Sequence, residues 1–329
     1  MNANAYPWHQ APFDTIVAAL AEQRLSHGLL IHGVRGLGKG AFAQRLATRF
    51  LCATSTACGS CPACHWVAAD NHPDFYQLAP EEDKRSISVD QVRALIGKLS
   101  LSSLANGRKV AIIDPADAMT EAAANALLKT LEEPTGDSVL MLVTHRLSAL
   151  PATIHSRCQS VGIPRPDHDQ ALAWLGEHAP GDVPWPALLR LAGGAPLAAL
   201  EWHKEGFSAQ VEQLSADLVA ISDGQLDPAA AAARWVKMDA GRCIEWLARR
   251  VSDVIRVRFG VASRDVAHNL SPKDLPEGLN QIKLNQMFAY LDNVHRARRR
   301  LDTSLNAQQV IEALLVPWAL RFRTASSVA

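Results

Sequence analysis

The stretch Ile31 to Ala47, IHGVRGLGKGAFAQRLA, constrains this chain more than any other part of its sequence. An apolar run, a glycine-rich loop and an amphipathic segment follow one another in it. That is the local order of a strand, a turn and a helix, with backbone N–H groups and a positive helix end aimed at the turn. Gly33, Gly38 and Lys39 fit the phosphate-loop pattern G-x-x-x-x-G-K-[ST]. Lys39 would then reach the outer phosphates of a nucleotide. The next residue, Gly40, stands where the pattern has a hydroxyl, and glycine has no oxygen with which to ligate Mg²⁺.

A phosphate loop works with an acidic strand end. Here that end is Val110-Ala111-Ile112-Ile113-Asp114-Pro115. Asp114 could still serve a metal, but Pro115 carries no carboxylate to position water. Two departures at two catalytic positions argue for a nucleotide site that keeps its shape without its chemistry. A working ATPase with compensating residues is the rival reading.

The same alternation extends along the first half of the chain. Leu29–His32, Val110–Ile113 and Val139–Val143, the last ending at Thr144, read as strands separated by helical stretches, which predicts a parallel α/β sheet. Ser88 and Gln91 form a capping-box pattern before a helix with Val92, Leu95, Ile96 and Leu99 on one face. Thr120 caps the next helix, and Pro134 stops it after Glu133. Prolines at 164, 166, 180, 184 and 186 place a boundary near residue 165. A small helical unit follows to about residue 205, and from 206 the pattern is helical throughout.

Cys52, Cys58, Cys61 and Cys64 are spaced C-x5-C-x2-C-x2-C. Four thiolates at this spacing suit one tetrahedral, structural Zn²⁺ with no open position for catalysis. An iron–sulfur cluster also takes four cysteines. Cys61 to His65 matches a haem-attachment pattern that leaves Cys52 and Cys58 unexplained. Four unliganded thiols are the remaining reading. The start of the chain has no basic stretch leading into an apolar one, and no apolar run reaches the roughly 18 residues of a membrane helix. A cytoplasmic location is therefore expected, where disulfides between the six cysteines are not. The chain carries 33 basic and 33 acidic residues, so bulk charge gives no reason for it to bind nucleic acid by itself.

Three features together carry a family resemblance: the degenerate loop with the cysteine cluster just after its helix, the run Ala124-Asn125-Ala126-Leu127-Leu128-Lys129-Thr130-Leu131-Glu132-Glu133-Pro134, and Ser156-Arg157-Cys158. His72-Pro73-Asp74 with the following aromatic pair adds to it. The chain resembles the bacterial clamp-loader subunits of the AAA+ superfamily, strongly over about residues 1 to 165 and more weakly, including Asn306 to Leu315, in the helical remainder. The resemblance implies an AAA+ module over 1–165 with an inserted zinc-binding segment at 52–64, a helical lid over 166–205 and a helical collar over 206–329. It implies gamma/tau and delta clamp-loader subunits as ring partners, a sliding clamp, and primed DNA reached through the complex, with no membrane.

The related ATPases carry Ser or Thr at position 40, an acid at 115 and a nucleotide-sensing arginine where this chain has Leu197. Thr144 matches their polar strand-end sensor. The resemblance therefore implies a subunit that hydrolyses no ATP, with Gly33, Gly38, Lys39, Asp114 and Thr144 as a vestigial nucleotide site. It also implies that Arg157, flanked by Ser156 and Cys158, acts in trans on the ATP site of a neighbour. An enzyme label would then belong to the DNA-directed DNA polymerase holoenzyme. An active gamma/tau-type ATPase and a stand-alone zinc-containing nucleic-acid-binding protein remain as alternatives. The basic run Arg296, Arg298, Arg299 and Arg300 reads as a solvated helix face, with a contact to DNA or a ring neighbour as the other reading. The stripe from Ala307 to Trp318 reads as intramolecular core or ring interface.

Overall fold

The computed structural model describes residues 6–105, 107–134, 136–260, 283–301 and 306–321. Parts of the expected collar (261–282, 302–305 and 322–329) and the first five residues of the start lie outside them. The chain forms two compact units, Met1–Gln170 and Ala171–Ala329.

The first unit is built on β1 (Gly28–His32), β2 (Phe75–Leu78), β3 (Arg108–Ile113), β4 (Asp137–Thr144) and β5 (Gln159–Gly162). They form one sheet in the order β2-β3-β4-β1-β5, with every neighbouring pair parallel. This is the parallel α/β sheet that the alternation of strands and helices predicts. Strands β1, β3 and β4 are covered on both faces, and their near-continuous apolar runs reflect that. Strands β2 and β5 sit at the two edges and are only partly buried. Each has four residues and neither is a continuous apolar run, so neither stands out as a strand in the sequence.

The helices of this unit are α1 (Gln10–Ala21), α2 (Lys39–Leu51), α3 (Pro62–Ala68), α4 (Val89–Ser100), α5 (Glu121–Glu132) and α6 (Ala152–His155). The capping box before α4 forms: Gln91 N–H donates to Ser88 Oγ at 3.3 Å, and Ser88 N–H donates to Gln91 Oε1 at 2.9 Å. Thr120 Oγ1 caps α5 by accepting from Ala123 N–H at 3.2 Å. Leu127 and Leu131 of α5 pack with Leu30, Ile113, Leu140 and Leu142 of the sheet in one buried cluster. Burying one leucine there stabilises the fold by about 1.5–3 kcal/mol.

Between α4 and β3 the chain is tied down by two buried charges. Asp74 accepts from Ser103 Oγ at 2.8 Å, Leu104 N–H at 3.0 Å and Ala105 N–H at 2.8 Å. Lys109 donates to the carbonyls of Leu99 and Leu101. The aspartate of the His72-Pro73-Asp74 motif is thus a structural acceptor that closes a loop whose backbone donors have no strand to join.

The second unit is helical: α7 (His168–His178), which begins just before it, α8 (Trp185–Leu191), α9 (Pro196–Lys204), α10 (Phe207–Ser222), α11 (Pro228–Arg258), α12 (Leu284–Arg300) and α13 (Ala307–Arg321). Trp235 and Trp246 of α11 are fully buried and meet edge to face at 5.9 Å. Val310, Ile311, Leu314, Leu315 and Trp318 are buried within the chain. Trp318 Nε1 donates to the Leu218 carbonyl at 3.2 Å, which ties α13 to α10. The stripe is therefore intramolecular core. Among the described residues no helix is long and apolar enough to cross a membrane.

Replacing Asp74 by Ala strands the Leu104 and Ala105 amides and leaves the loop unpinned. We expect a loss of about 2–3 kcal/mol in denaturant titration of the first unit. A loss under about 0.5 kcal/mol, the level of an ordinary surface change, would contradict this role.

Candidate functional site

Parallel strands deliver their following loops to one edge of the sheet, and the residues expected of a nucleotide site gather there. His32 and Thr144 are partners in the β1–β4 register, and Asp114 follows the last residue of β3. The glycine loop runs from Gly33 to Gly38, which precedes α2 with φ +75°. A Cβ at Gly33 would lie 2.9 Å from the Ile163 carbonyl, so only glycine fits there without a shift.

Lys39 is buried, and its Nζ donates to the Val34 carbonyl at 2.9 Å, inside its own loop. Burial lowers its pKa to about 8 against the pull of Asp114 and Asp117. At Gly40 a Cβ would sit 2.5 Å from Asp114 Oδ2. The carboxylate of the acidic strand end occupies the space from which a Ser or Thr side chain would begin. Burial raises the Asp114 pKa, Lys39 opposes the shift and Asp117 adds to it. The edge keeps buried positive charge and backbone donors, which can attract an anion, but position 40 supplies no oxygen for Mg²⁺.

Thr144 lies at the end of β4 as expected. Its hydroxyl donates to Asp117 Oδ1 at 2.8 Å, and its Oγ1 accepts from Arg146 N–H at 3.0 Å. Arg146 Nε donates to Asp117 Oδ2 at 2.9 Å. Burial by itself would raise the Asp117 pKa, but the Thr144 hydroxyl, His145 and Arg146 hold it below the usual carboxylate range. Asp117 is absent from the sequence reading. The signal was there, in a second acid three residues beyond Asp114.

Trp8 and His9 were missed as well. Trp8 Nε1 donates to the Leu37 carbonyl at 2.9 Å, and His9 Nε2 lies 2.7 Å from the same oxygen. Both rings are buried. Burial lowers His9 to a pKa of about 4, with the Leu37 bond opposing and Arg45 assisting. The imidazole is therefore neutral at pH 7 and donates through Nε2–H. Together the two rings pin the glycine loop from the side of α1.

The cysteine cluster follows α2. Cys52 caps α2, Cys61 caps α3, and Cys64 lies within α3. The four Sγ atoms lie within 4.8 Å of one another, with Cys52 to Cys58 at 3.7 Å and Cys61 to Cys52 at 3.9 Å. Backbone N–H groups of Cys58 and Cys64 point at Cys52 Sγ and Cys61 Sγ, at 3.5 and 3.4 Å. Amide donors aimed at sulfur favour thiolates, and the set could hold a metal ion. His65 stands apart, with its Nε2 3.0 Å from the Gly59 carbonyl. All six cysteines are free.

Ser156, Arg157 and Cys158 form the segment between α6 and β5. Arg157 is on the surface, paired with Glu132 at the end of α5. Cys158 packs inward, and burial pushes its thiol up to about 11, so it behaves as a small apolar residue. Leu197 is the second residue of α9. In the basic run, Arg296 bonds Asn293 Oδ1 at 2.6 Å and Arg298 pairs with Glu245 at 3.2 Å, while Arg299 and Arg300 are exposed.

The family "DNA polymerase III, delta subunit" matches residues 8–167, and "DNA polymerase III, delta subunit, C terminal" matches residues 205–320. DNA polymerase III subunit delta′ of Pseudomonas aeruginosa is 36% identical over 96% of this chain and 98% of that protein. The subunit delta′ of Escherichia coli is 33% identical over 94% of each. A gamma subunit-related DNA polymerase III protein of Thermotoga maritima, known from a crystal structure, is 20% identical with a TM-score of 0.48, over 95% of this chain and 100% of that one. Near-full-length identity of this degree leaves no large region of the fold unaccounted for, and the chain belongs to the family of DNA polymerase III delta′ subunits.

Proposed function

We propose that this chain is a non-catalytic stator subunit of a bacterial clamp loader. In this reading it helps load a sliding clamp onto primed DNA and supplies Arg157 in trans to the ATP site of a neighbouring subunit. The observation that carries the reading is the Asp114 carboxylate, 2.5 Å from where a Cβ of residue 40 would stand. A hydroxyl-bearing side chain at that position would have to displace the Asp114 carboxylate. Position 40 itself supplies no oxygen for the Mg²⁺ needed in phosphoryl transfer, and the acidic strand end leans over it. Lys39, turned onto the Val34 carbonyl, is a strut of the loop in the same account.

The catalytic contribution then passes to Arg157. A guanidinium placed at a neighbour's terminal phosphate stabilises charge that develops during transfer, and such fingers contribute about 10³–10⁵ in rate at the site they serve. Residues 1–165 act as the AAA+ module, 166–205 as the lid and 206–329 as the collar. Gamma/tau and delta subunits are the ring partners, and the relatives named above as delta′ support that assignment. The polymerase activity belongs to the complex.

In the same reading the cysteine cluster holds one structural Zn²⁺. With a Zn–S bond of about 2.3 Å, a tetrahedron puts its sulfurs about 3.8 Å apart. The separations of 3.7 and 3.9 Å fit one ion. An iron–sulfur cluster, with several irons, needs its four sulfurs spread wider.

Elemental analysis should therefore find one zinc per chain, lost in Cys61→Ser together with thermal stability. Stoichiometric iron with labile sulfide would contradict this. A complex reconstituted with Arg157→Ala should assemble normally and lose ATPase activity, by about 10³-fold or more at the site that Arg157 serves. Wild-type clamp-loading ATPase from that complex would remove the finger from the account.

A further inference from the structure

Two of the sequence motifs that lie far apart along the chain meet at the foot of β1. A Cβ on Gly28 would lie 3.0 Å from Leu131 Cδ2, 3.3 Å from the Arg157 carbonyl and 3.3 Å from Cys158 Sγ. His27 Nε2 lies 2.5 Å from the Leu131 carbonyl on the same side. The core thus fixes the end of α5 beside the Ser156-Arg157-Cys158 segment, and Glu132 faces Arg157.

Arg157 is folded back onto its own chain. Its Nε donates to Glu132 Oε1 at 2.7 Å, and its Nη2 donates to the same oxygen. Its Nη1 donates to the Thr153 carbonyl at 3.1 Å and to Ser156 Oγ at 3.2 Å. Four of the five N–H donors of the guanidinium are used this way. The side chain is 31% exposed and that of Glu132 is 48% exposed. A finger in this state is a poor catalyst for two reasons. Most of its donors are taken, and the adjacent carboxylate cancels the charge that it would bring to a transition state.

We infer that Glu132 holds Arg157 in reserve and yields it to a neighbouring site only when the nucleotide there carries a terminal phosphate. This rests on the finger reading given above. An exposed ion pair is weak and exchanges readily. A terminal phosphate offers more charge and several oxygens in a geometry that suits a guanidinium, so it displaces the carboxylate. A diphosphate, set back from the finger, does not. Glu132 would in this way set how strongly a neighbour's terminal phosphate must compete before the finger engages.

The test measures association of the full-length chain with an ATPase-competent neighbouring subunit, loaded either with ADP or with a non-hydrolysable ATP analogue. It is run alongside the ATPase of the reconstituted complex. Glu132→Gln should strengthen association in the analogue by the few-fold that an exposed ion pair is worth, and leave association in ADP nearly unchanged, because a diphosphate does not reach the freed guanidinium. Glu132→Asp should stay near the wild-type nucleotide preference. An unchanged ADP-to-analogue ratio in Glu132→Gln would overturn the inference. So would a fall in ATPase with that ratio preserved, because Glu132 would then support the finger. The Arg157→Ala complex separates the two levels. If it hydrolyses ATP normally the finger reading itself fails, and if it is crippled the Glu132 results bear on the latch alone.

Discussion

The register of β1 against β4 determines where the residues of the nucleotide-like edge end up. Pairing Leu30 with Leu142 and His32 with Thr144 buries the apolar residues of both strands and starts their following loops at one edge. Strand β3, in register with β4, brings Asp114 to the same edge. A slip of one residue would turn each side chain to the opposite face of the sheet and expose a core of leucines and isoleucines. The apolar packing that forbids the slip is therefore also what holds Asp114 against Gly40 and Asp117 against Thr144.

Seen this way, the loss of one side chain at position 40 is part of a rearranged edge. The carboxylate that would serve a metal lies over the glycine, and the lysine that would serve phosphate is bonded to the loop that carries it. Two indole and imidazole donors converge on the Leu37 carbonyl and fix the loop further. Each contact is modest, about 0.5–1.5 kcal/mol net for a neutral hydrogen bond. In the proposed reading, their common effect is to make a nucleotide-shaped turn into a structural joint. What the unit offers to chemistry in that reading is the Arg157 guanidinium at the other end of β1, paired with an acid that ends α5.

Much of this was legible in the sequence because it rests on short-range rules. The Ser88–Gln91 capping box, the Thr120 cap and the three central strands are written in local patterns, and the structure has them. The four cysteines were legible because metal-type spacing is itself local. The edge strands β2 and β5 were not, since edge strands need no continuous apolar run. Trp8, His9 and Asp117 were not either. Their partners are Leu37, Thr144 and Arg146, up to 29 residues away, and only folding brings them together. The Glu132–Arg157 pair shows the same limit from the other side. Both residues stand in motifs that the sequence marks out, yet they lie 25 residues apart and only the fold brings them together.

The most direct measurement is ATP binding and hydrolysis by the purified single chain, with and without Mg²⁺. The account predicts no Mg²⁺-dependent turnover, because no side chain at position 40 can hold the metal and Asp114 fills the space beside it. Robust Mg²⁺-dependent hydrolysis by the isolated chain would contradict it, since the edge would then have to open, release Lys39 from Val34 and find a metal ligand that the packing around Gly40 does not provide.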